Sequence, residues 1–588
     1  MKISNMFKTT VVALGAVLAL SGCIRETFPN TSTITQEQLM SGQMEVVAEN
    51  LLKGIPSSMM YVSLGSEGMH GDFGYHGMGI GNDQAAQTVV TNGWSLGYAP
   101  AYNRYYPSAW GRMYAENNYM ASYAWYTYYP VIKNCNDVIK LVEGNEDLVN
   151  YAAIARAYRA LFYLDLARLY ECMYAKVQNG TDYENKYFAV QGLTVPIVTE
   201  NTDEEAATNN PRATREDMFK FIFDDLAFAA EVFGGAGYTT SAPSDPTLAA
   251  VYGLYARAYL WLGGFDDGLN GELPVGNDAY SLAAEYANKA IAACGGAVMN
   301  EAEWTNPVTG FNSKASSWMW YLQHSTDTVI NNLYQFPAHM APEASYGYCP
   351  FTCPGVSSEA YEKLGNNDFR KKLIVSPTHF QWGEIQNDQG EIQEGWILDE
   401  SKAATNYAAF KPYTQVSFEE YVTFAPYTFF KFRPAQGNRT DYKTAGAVAL
   451  PLMRCEEMYF IDMECEYYLN GADAAFSKLV NWMTTYRDPG FQTGTAQGEG
   501  IRDLIIFHKG IEFWGEGIIM FDMKRLDMGI DTKYEGTNYD PNRRFKSEGR
   551  VPWWTYCIPQ GEIQLNTALK GKNNPDPTLT LKNGGALE

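Results

Sequence analysis

Between Tyr151 and Tyr170 apolar side chains return at the helical interval: Ile154, Tyr158, Leu161 and Phe162 stand at i, i+4, i+7 and i+8. Ala152, Ala153, Ala155, Ala157 and Ala160 lie among them, small enough for another helix to approach closely. Neighbours of the right kind follow in the chain. Thr214 to Phe233 reads as an amphipathic helix entered through a Thr-x-x-Asp cap at Thr214 and Asp217. Asp245-Pro246 reads as the N-cap and first residue of the next helix, which runs to Leu262 and stops at Gly263-Gly264. Another runs from about Asp278 to Cys294 and stops at Gly295-Gly296. These two form an antiparallel helical hairpin. Its small contacts, Ala283, Ala287 and Ala290, are those of a tetratricopeptide repeat with an enlarged loop. Arg454–Leu469 and Ala472–Tyr486 form a second such pair, and further helices are predicted over Gln36–Lys53, Ala109–Leu141 and Ile501 to about Asp527.

Two stretches break this pattern. Gly54 to Tyr106 is rich in Gly, Met, Tyr and Asn, as in Gly77-Met78-Gly79-Ile80-Gly81-Asn82-Asp83, and is predicted to be loops and short turns with little helix. Asn300 to Leu450 carries Trp304, Trp318, Trp320, Tyr321, Tyr346 and Tyr348 among many Pro and Gly residues. Short strands and long loops are expected there, inserted into the helical scaffold. The fold class is therefore mainly α. Helical pairs resembling tetratricopeptide repeats cover approximately 36–53, 109–295 and 451–530, and loop-rich, short-stranded regions at approximately 54–108 and 300–450 pack on them. The tail from Asp540, with Trp553, Trp554 and Pro559, reads as irregular.

The N-terminus has its own logic. Lys2 and Lys8 precede an apolar run, Val11–Leu20, which is signal-peptide length and too short to span a bilayer. Leu20-Ser21-Gly22-Cys23 follows, small residues before a cysteine, as in a bacterial lipobox. The expected division is residues 1–22 as a lipoprotein signal peptide, 23–35 as a tether lipidated on Cys23, and 36–588 as one domain. Each acyl CH₂ buried in the membrane contributes roughly 0.8 kcal/mol, so several chains on one residue anchor firmly. The formal charge is −23, and loss of Lys2 and Lys8 with the leader takes it to −25. Such a surface repels phosphate backbones, so no nucleic-acid partner is expected. The cysteines beyond Cys23 are scattered, with no CxxC pair, and read mostly as buried apolar residues.

Several segments, in order along nearly the whole mature chain, resemble the SusD/RagB family of outer-membrane lipoproteins of Bacteroidetes. "YAAIARAYRALFYLDLARLYE", Tyr151–Glu171, is similar to the family's Ala- and Arg-rich helix. "TREDMFKFIFDDLAFA" and "PTLAAVYGLYARAYLWLG" are similar to the two helices after it. "IEFWGEGIIMFDMKRL", Ile511–Leu526, resembles the late Glu-x-x-x-Glu-Gly segment with its Asp-x-x-Arg, and "IPQGEIQLN", Ile558–Asn566, the closing segment. Ile518-Ile519 and Lys509 depart from the pattern, where members often carry Arg. The resemblance implies four tetratricopeptide-like pairs and a cell-surface location at the outer membrane. It also implies a SusC-like TonB-dependent barrel as partner and a glycan, or in some relatives a peptide, as ligand. It implies no cofactor.

Candidate chemistry divides accordingly. Glu512 and Glu516 share a helix face, but carboxylates one turn apart on a single helix do not flank a glycosidic bond, so they and Asp522 and Arg525 read as structural ion partners. His70, Asp72 and His76, and the fragment Asp266-Asp267-Gly268 with Asn270, lack the spacing of a metal site. No catalytic and no metal residue is assigned. Binding is expected on aromatics in loops. The candidates are Trp94, Tyr98 and Tyr102, with Asn103, Arg104 and Asp83 as hydroxyl partners, and Tyr346 and Tyr348, which share one face if the segment is extended around Gly347. Trp318 and Trp320 read as a buried strand. A surface glycosidase and a peptide-binding protein remain the alternative readings to a glycan-binding lipoprotein.

Overall fold

The computed structural model describes residues 44–60, 73–91, 119–176, 181–235, 237–386, 390, 392–491 and 500–577. Two units are distinguished, residues 1–50 and residues 51–588. Of the first, only Met44–Asn50 is described, the opening turns of helix α1, Met44–Met59. Cys23 and the leader lie outside the described residues.

In the second unit the longer helices are α2 (Tyr75–Ala85), α3 (Tyr119–Leu141), α4 (Val149–Tyr170), α5 (Arg215–Gly234), α6 (Leu248–Gly263), α7 (Gly276–Ala293), α8 (Cys455–Asn470), α9 (Ala472–Tyr486) and α10 (Gly500–Glu512), with a short α11 (Ile519–Arg525). From α3 to α9 each helix packs on the next, even though residues 294–454 separate α7 from α8. This is the mainly α, tetratricopeptide-like array expected from the alanine spacing. Ala279, Ala283, Ala287 and Ala290 of α7 are fully buried in it. So is almost all of α4, from Ala153 onward.

Buried charges tie the array together. Arg159 on α4 donates to both oxygens of Asp225 on α5 at 2.7 and 2.8 Å, and to Asn136 on α3 at 2.7 Å. Arg257 on α6 donates to both oxygens of Glu457 on α8 at 2.7 and 2.6 Å. A guanidinium also occupies the loop with the calcium-like fragment. Arg215 donates to Asp267 and Asn270 at 2.7–2.8 Å and to Glu171 at 2.6 Å, so the ligand-like oxygens there already hold a cation of the chain itself.

The region between α7 and α8 has short helical turns, loops and two strand pairs. Strand β1, Trp318–Gln323, pairs antiparallel with β4, Ala449–Arg454, which leads directly into α8. Trp318 and Trp320 are buried there, as expected of a core strand. Strands β2, Phe380–Gln386, and β3, Ile392–Leu398, form an antiparallel hairpin.

Three local expectations are corrected. The cap of α6 is Thr247, whose side chain accepts from Ala250 N–H, while Asp245 holds the preceding turn through Ser241 and Ala242. Residues 54–106 hold more helix than their glycines suggest, since α1 runs on to Met59 and Tyr75–Ala85 is helical throughout. The reason lies elsewhere in the chain: α2 packs against Gly517, where a Cβ would come within 2.3 Å of the Gly79 Cα, so glycine at 517 permits the close approach. The late helix is also split. Gly515 and Gly517, both at φ +78°, end α10 and redirect the chain into α11.

Candidate functional site

The hairpin β2–β3 reads Trp382-Gly383-Glu384 outward and Glu394-Gly395-Trp396 back, and its register sets Trp382 directly opposite Trp396. The two indoles meet edge to face, with centroids 5.0 Å apart. Cross-strand aromatic pairs of this kind stabilise a two-stranded ribbon and fix its register. Trp382 is half exposed, whereas Trp396 turns inward toward Tyr427 at 6.4 Å, and Tyr427 meets Tyr361 at 5.5 Å. The result is an aromatic chain running from solvent into the protein. It borders a small depression whose walls include Thr91, Val356, Trp396, Tyr427 and Asn538.

Tyr427 stands in the left-handed backbone region at φ +70°, uncommon for a bulky side chain and worth on the order of 1–3 kcal/mol of local strain. The surrounding backbone holds it there. Gly355 exchanges two hydrogen bonds with Val90 at 2.8 and 2.9 Å, and Val356 N–H donates to Tyr427 O at 3.1 Å. A Cβ on Gly355 would sit 2.2 Å from Tyr427 O, so this glycine lets the Val90 and Tyr427 segments approach together. Asn538 supports the wall by donating to Val356 O at 3.0 Å and accepting from Ser358 N–H at 2.8 Å. The Thr91 hydroxyl is buried beside the depression with no partner among the described residues.

The aromatics named from sequence fare differently. Trp94, Tyr98, Tyr102, Asn103 and Arg104 lie outside the described residues, which resume at 119. Asp83 is fully buried in α2 and accepts from Gly517 N–H at 3.0 Å, so its carboxyl is closed to a ligand in this structure. Tyr346 is half-buried and donates to Gln335 at 3.1 Å, while Tyr348 is buried against His339. They do not share an extended face, because Gly347 takes φ +77° and turns the chain. Sequence reasoning passed over Trp382, Trp396, Tyr361 and Tyr427. The mirrored Trp-Gly-Glu and Glu-Gly-Trp triplets were the signal that marks the tryptophan pair.

The late carboxylates are ion partners as expected, but Glu516 lies beyond the end of α10 and does not share a helix face with Glu512. Glu512 is fully buried and accepts from Arg370, Arg454 and Arg487 at 2.8–3.2 Å. Glu516 accepts from Arg454 at 2.9 and 3.0 Å and from Lys431 at 2.6 Å. Burial alone raises a carboxyl, but the surrounding cations hold Glu512 well below the usual glutamate range and lower Glu516 as well. Asp522 pairs with Lys509 at 2.6 Å and Arg525 at 3.0 Å, so lysine fills the place where arginine is common. Neither Glu512 nor Glu516 has room for a substrate. His76 is buried, with its Nε2 3.2 Å from Pro451 O.

Asp83 supports a pH prediction. Burial pushes its carboxyl up to about 7, against the pull of Gly517 N–H and Lys431. The folded chain therefore keeps a proton that the unfolded chain releases near 3.8. The stabilisation this brings is fully present below 3.8 and is lost as pH rises through about 7. Asp83→Asn keeps the acceptor and removes the titration. Urea midpoints at pH 5 and pH 8 are expected to show the variant gaining on wild type by an amount on the order of 2 kcal/mol. An unchanged difference between variant and wild type at the two pH values would show that the acid is buried ionised.

Residues 355–576 match the SusD family model, a segment that includes the tryptophan hairpin, Tyr361, Tyr427, Asn538 and the ion network. No curated protein matches the sequence. A SusD-like carbohydrate binding protein from Bacteroides vulgatus has the same fold, with a TM-score of 0.62 at 21% identity over 89% of this chain and 96% of that one. For a SusD superfamily protein from Bacteroides thetaiotaomicron the values are 0.59, 18%, 89% and 98%. Surface glycan-binding protein A from Bacteroides thetaiotaomicron, in complex with laminarihexaose, gives 0.57, 16%, 90% and 99%. The family-model match over residues 355–576 and the fold shared with SusD-like structures agree with each other.

Proposed function

We propose that this protein is a lipid-anchored outer-membrane lipoprotein that captures glycans and passes them to a SusC-like TonB-dependent barrel, without chemistry of its own. The observation that carries the reading is the half-exposed Trp382 paired with Trp396 at the mouth of the Thr91–Tyr427 depression. Flat indole faces suit the apolar face of a pyranose, and nearby hydroxyl and amide groups orient the ring hydroxyls. A structural neighbour with the same fold is a surface glycan-binding protein in complex with laminarihexaose, which supports a sugar ligand. The non-enzymatic part rests on the engagement of Glu512 and Glu516 by arginine and lysine, which leaves them no acid–base role on a sugar. The barrel partner is what the resemblance to SusD-like lipoproteins implies. Trp94, Tyr98, Tyr102, Asn103 and Arg104 are retained as candidate contributors to the same platform, because their segment continues the chain directly from Thr91.

Calorimetry against a panel of oligosaccharides, laminarihexaose included, and of peptides tests the ligand class. Saturable glycan binding with no release of reducing sugar is the expected result. Binding to peptides alone would move the protein to a peptide-capturing role, and sugar release would make it a glycosidase. The anchor has a separate test. No helix among the described residues is long and apolar enough to cross a membrane. Cys23→Ala is therefore expected to shift the protein almost entirely from the membrane to the soluble fraction in detergent-free buffer. Retention on membranes would refute lipidation at this position.

A further inference from the structure

We propose that Cys294 and Cys455 are joined in the mature protein as an intramolecular disulfide that staples α7 to α8. Their Sγ atoms lie 2.6 Å apart, which approaches the bonded length of about 2.05 Å. Cys294 ends α7 just before Gly295-Gly296, and Cys455 is the first residue of α8. The two helices run packed along each other. The interface around the pair is pinned on both sides. Asn288 donates to Asp462 at 2.9 Å, and Tyr459 donates to Gly296 O at 3.2 Å. Cys455 N–H is held by Ser317 O at 2.8 Å. Closing the bond thus needs only a small movement of the two sulfurs.

Access favours this pair. Among the described cysteines Cys294 is the one that is partly exposed, and the other seven are buried. The contact with the Cys455 sulfur lowers the Cys294 thiol, which makes Cys294 the attacking sulfur. The oxidant is a disulfide-bearing thiol compound, such as oxidised glutathione or a dithiol oxidase. Cys294 thiolate attacks one sulfur of the oxidant, whose S–S bond breaks and releases one thiolate. Cys455 then loses its proton and attacks the Cys294 sulfur, expelling the second oxidant thiolate. Two protein thiols become one disulfide, and the oxidant carries away two electrons and two protons. Export would supply oxidising surroundings, but the pairing rests on the geometry alone and not on the ligand or the anchor.

The test uses the full chain isolated from membranes and equilibrated with oxidised glutathione. N-ethylmaleimide then blocks free thiols, and a non-reducing digest is read by mass spectrometry. The expected result is a linked pair of peptides carrying Cys294 and Cys455, lighter by two hydrogens than the separate peptides, with no maleimide on either. Reduction should lower the melting temperature of wild type by several degrees and leave that of Cys294→Ser unchanged. Maleimide on both thiols, a glutathione adduct on Cys294, or a link from Cys294 to any other cysteine would overturn the proposal.

Discussion

Glu512→Gln is expected to destabilise the protein by about 3–5 kcal/mol, the range for breaking a buried ion pair by removing one partner. Three guanidinium groups converge on this carboxylate. Arg487 meets both of its oxygens at 2.8 Å, and Arg370 and Arg454 add bonds at 3.0 and 3.2 Å. All four residues are buried. The neutral amide leaves three buried cations with only Glu456, Glu516 and Asp368 to offset them. The amide N–H₂ also faces donors where an acceptor is required. The effect reaches far along the chain, because Arg370 follows α7, Arg454 ends β4 and Arg487 follows α9. Thermal and urea unfolding at pH 7 check the prediction. The glutamate is held below its usual value, so the stability it contributes is present above about 4.5 and is lost as pH falls toward the folded value. The gap between wild type and variant should therefore narrow in acid. Equal unfolding midpoints at pH 7 would show that the network contributes nothing net.

Trp382→Ala carries the largest expected effect on binding, a loss of about 2 kcal/mol or roughly 30-fold in affinity for the glycan that wild type binds. Trp382 is half exposed in the hairpin, so its removal takes away ligand contact more than core packing. Trp396→Ala should weaken binding as well, but it also strips a contact from Tyr427, so part of its effect will appear as lost stability. Ile392→Ala is the control, because it is an exposed apolar residue of the same hairpin without an aromatic face. Calorimetry with circular dichroism on each variant separates these effects. If Trp382→Ala binds like wild type while folded, the aromatic pair is not the ligand platform.

What the sequence by itself determined is the helical scaffold, because its signals are local. The Thr214 cap, the Gly263-Gly264 and Gly295-Gly296 stops, and the alanines of α4 and α7 act within a turn or two of where they stand, and the helices begin and end near them. The ion-partner reading of Glu512, Glu516, Asp522 and Arg525 was also legible, although Glu516 lies beyond the end of α10 and does not share its helix face with Glu512. Contacts distant in sequence were decided only by the tertiary structure. Tyr75–Ala85 is helical despite Gly77, Gly79 and Gly81 because Gly79 meets Gly517, and no local propensity encodes that meeting. Gly347 at φ +77° pulled Tyr346 and Tyr348 out of line, and Asp83 was drawn into the core by Gly517 N–H. The Trp382–Trp396 pair depends on strand register, and the Tyr427 wall depends on Gly355 joining segments more than 260 residues apart, Val90 and Gly355. Periodicity reports which face of an element is apolar. It does not report which face of another element will meet it, and that meeting places the candidate site.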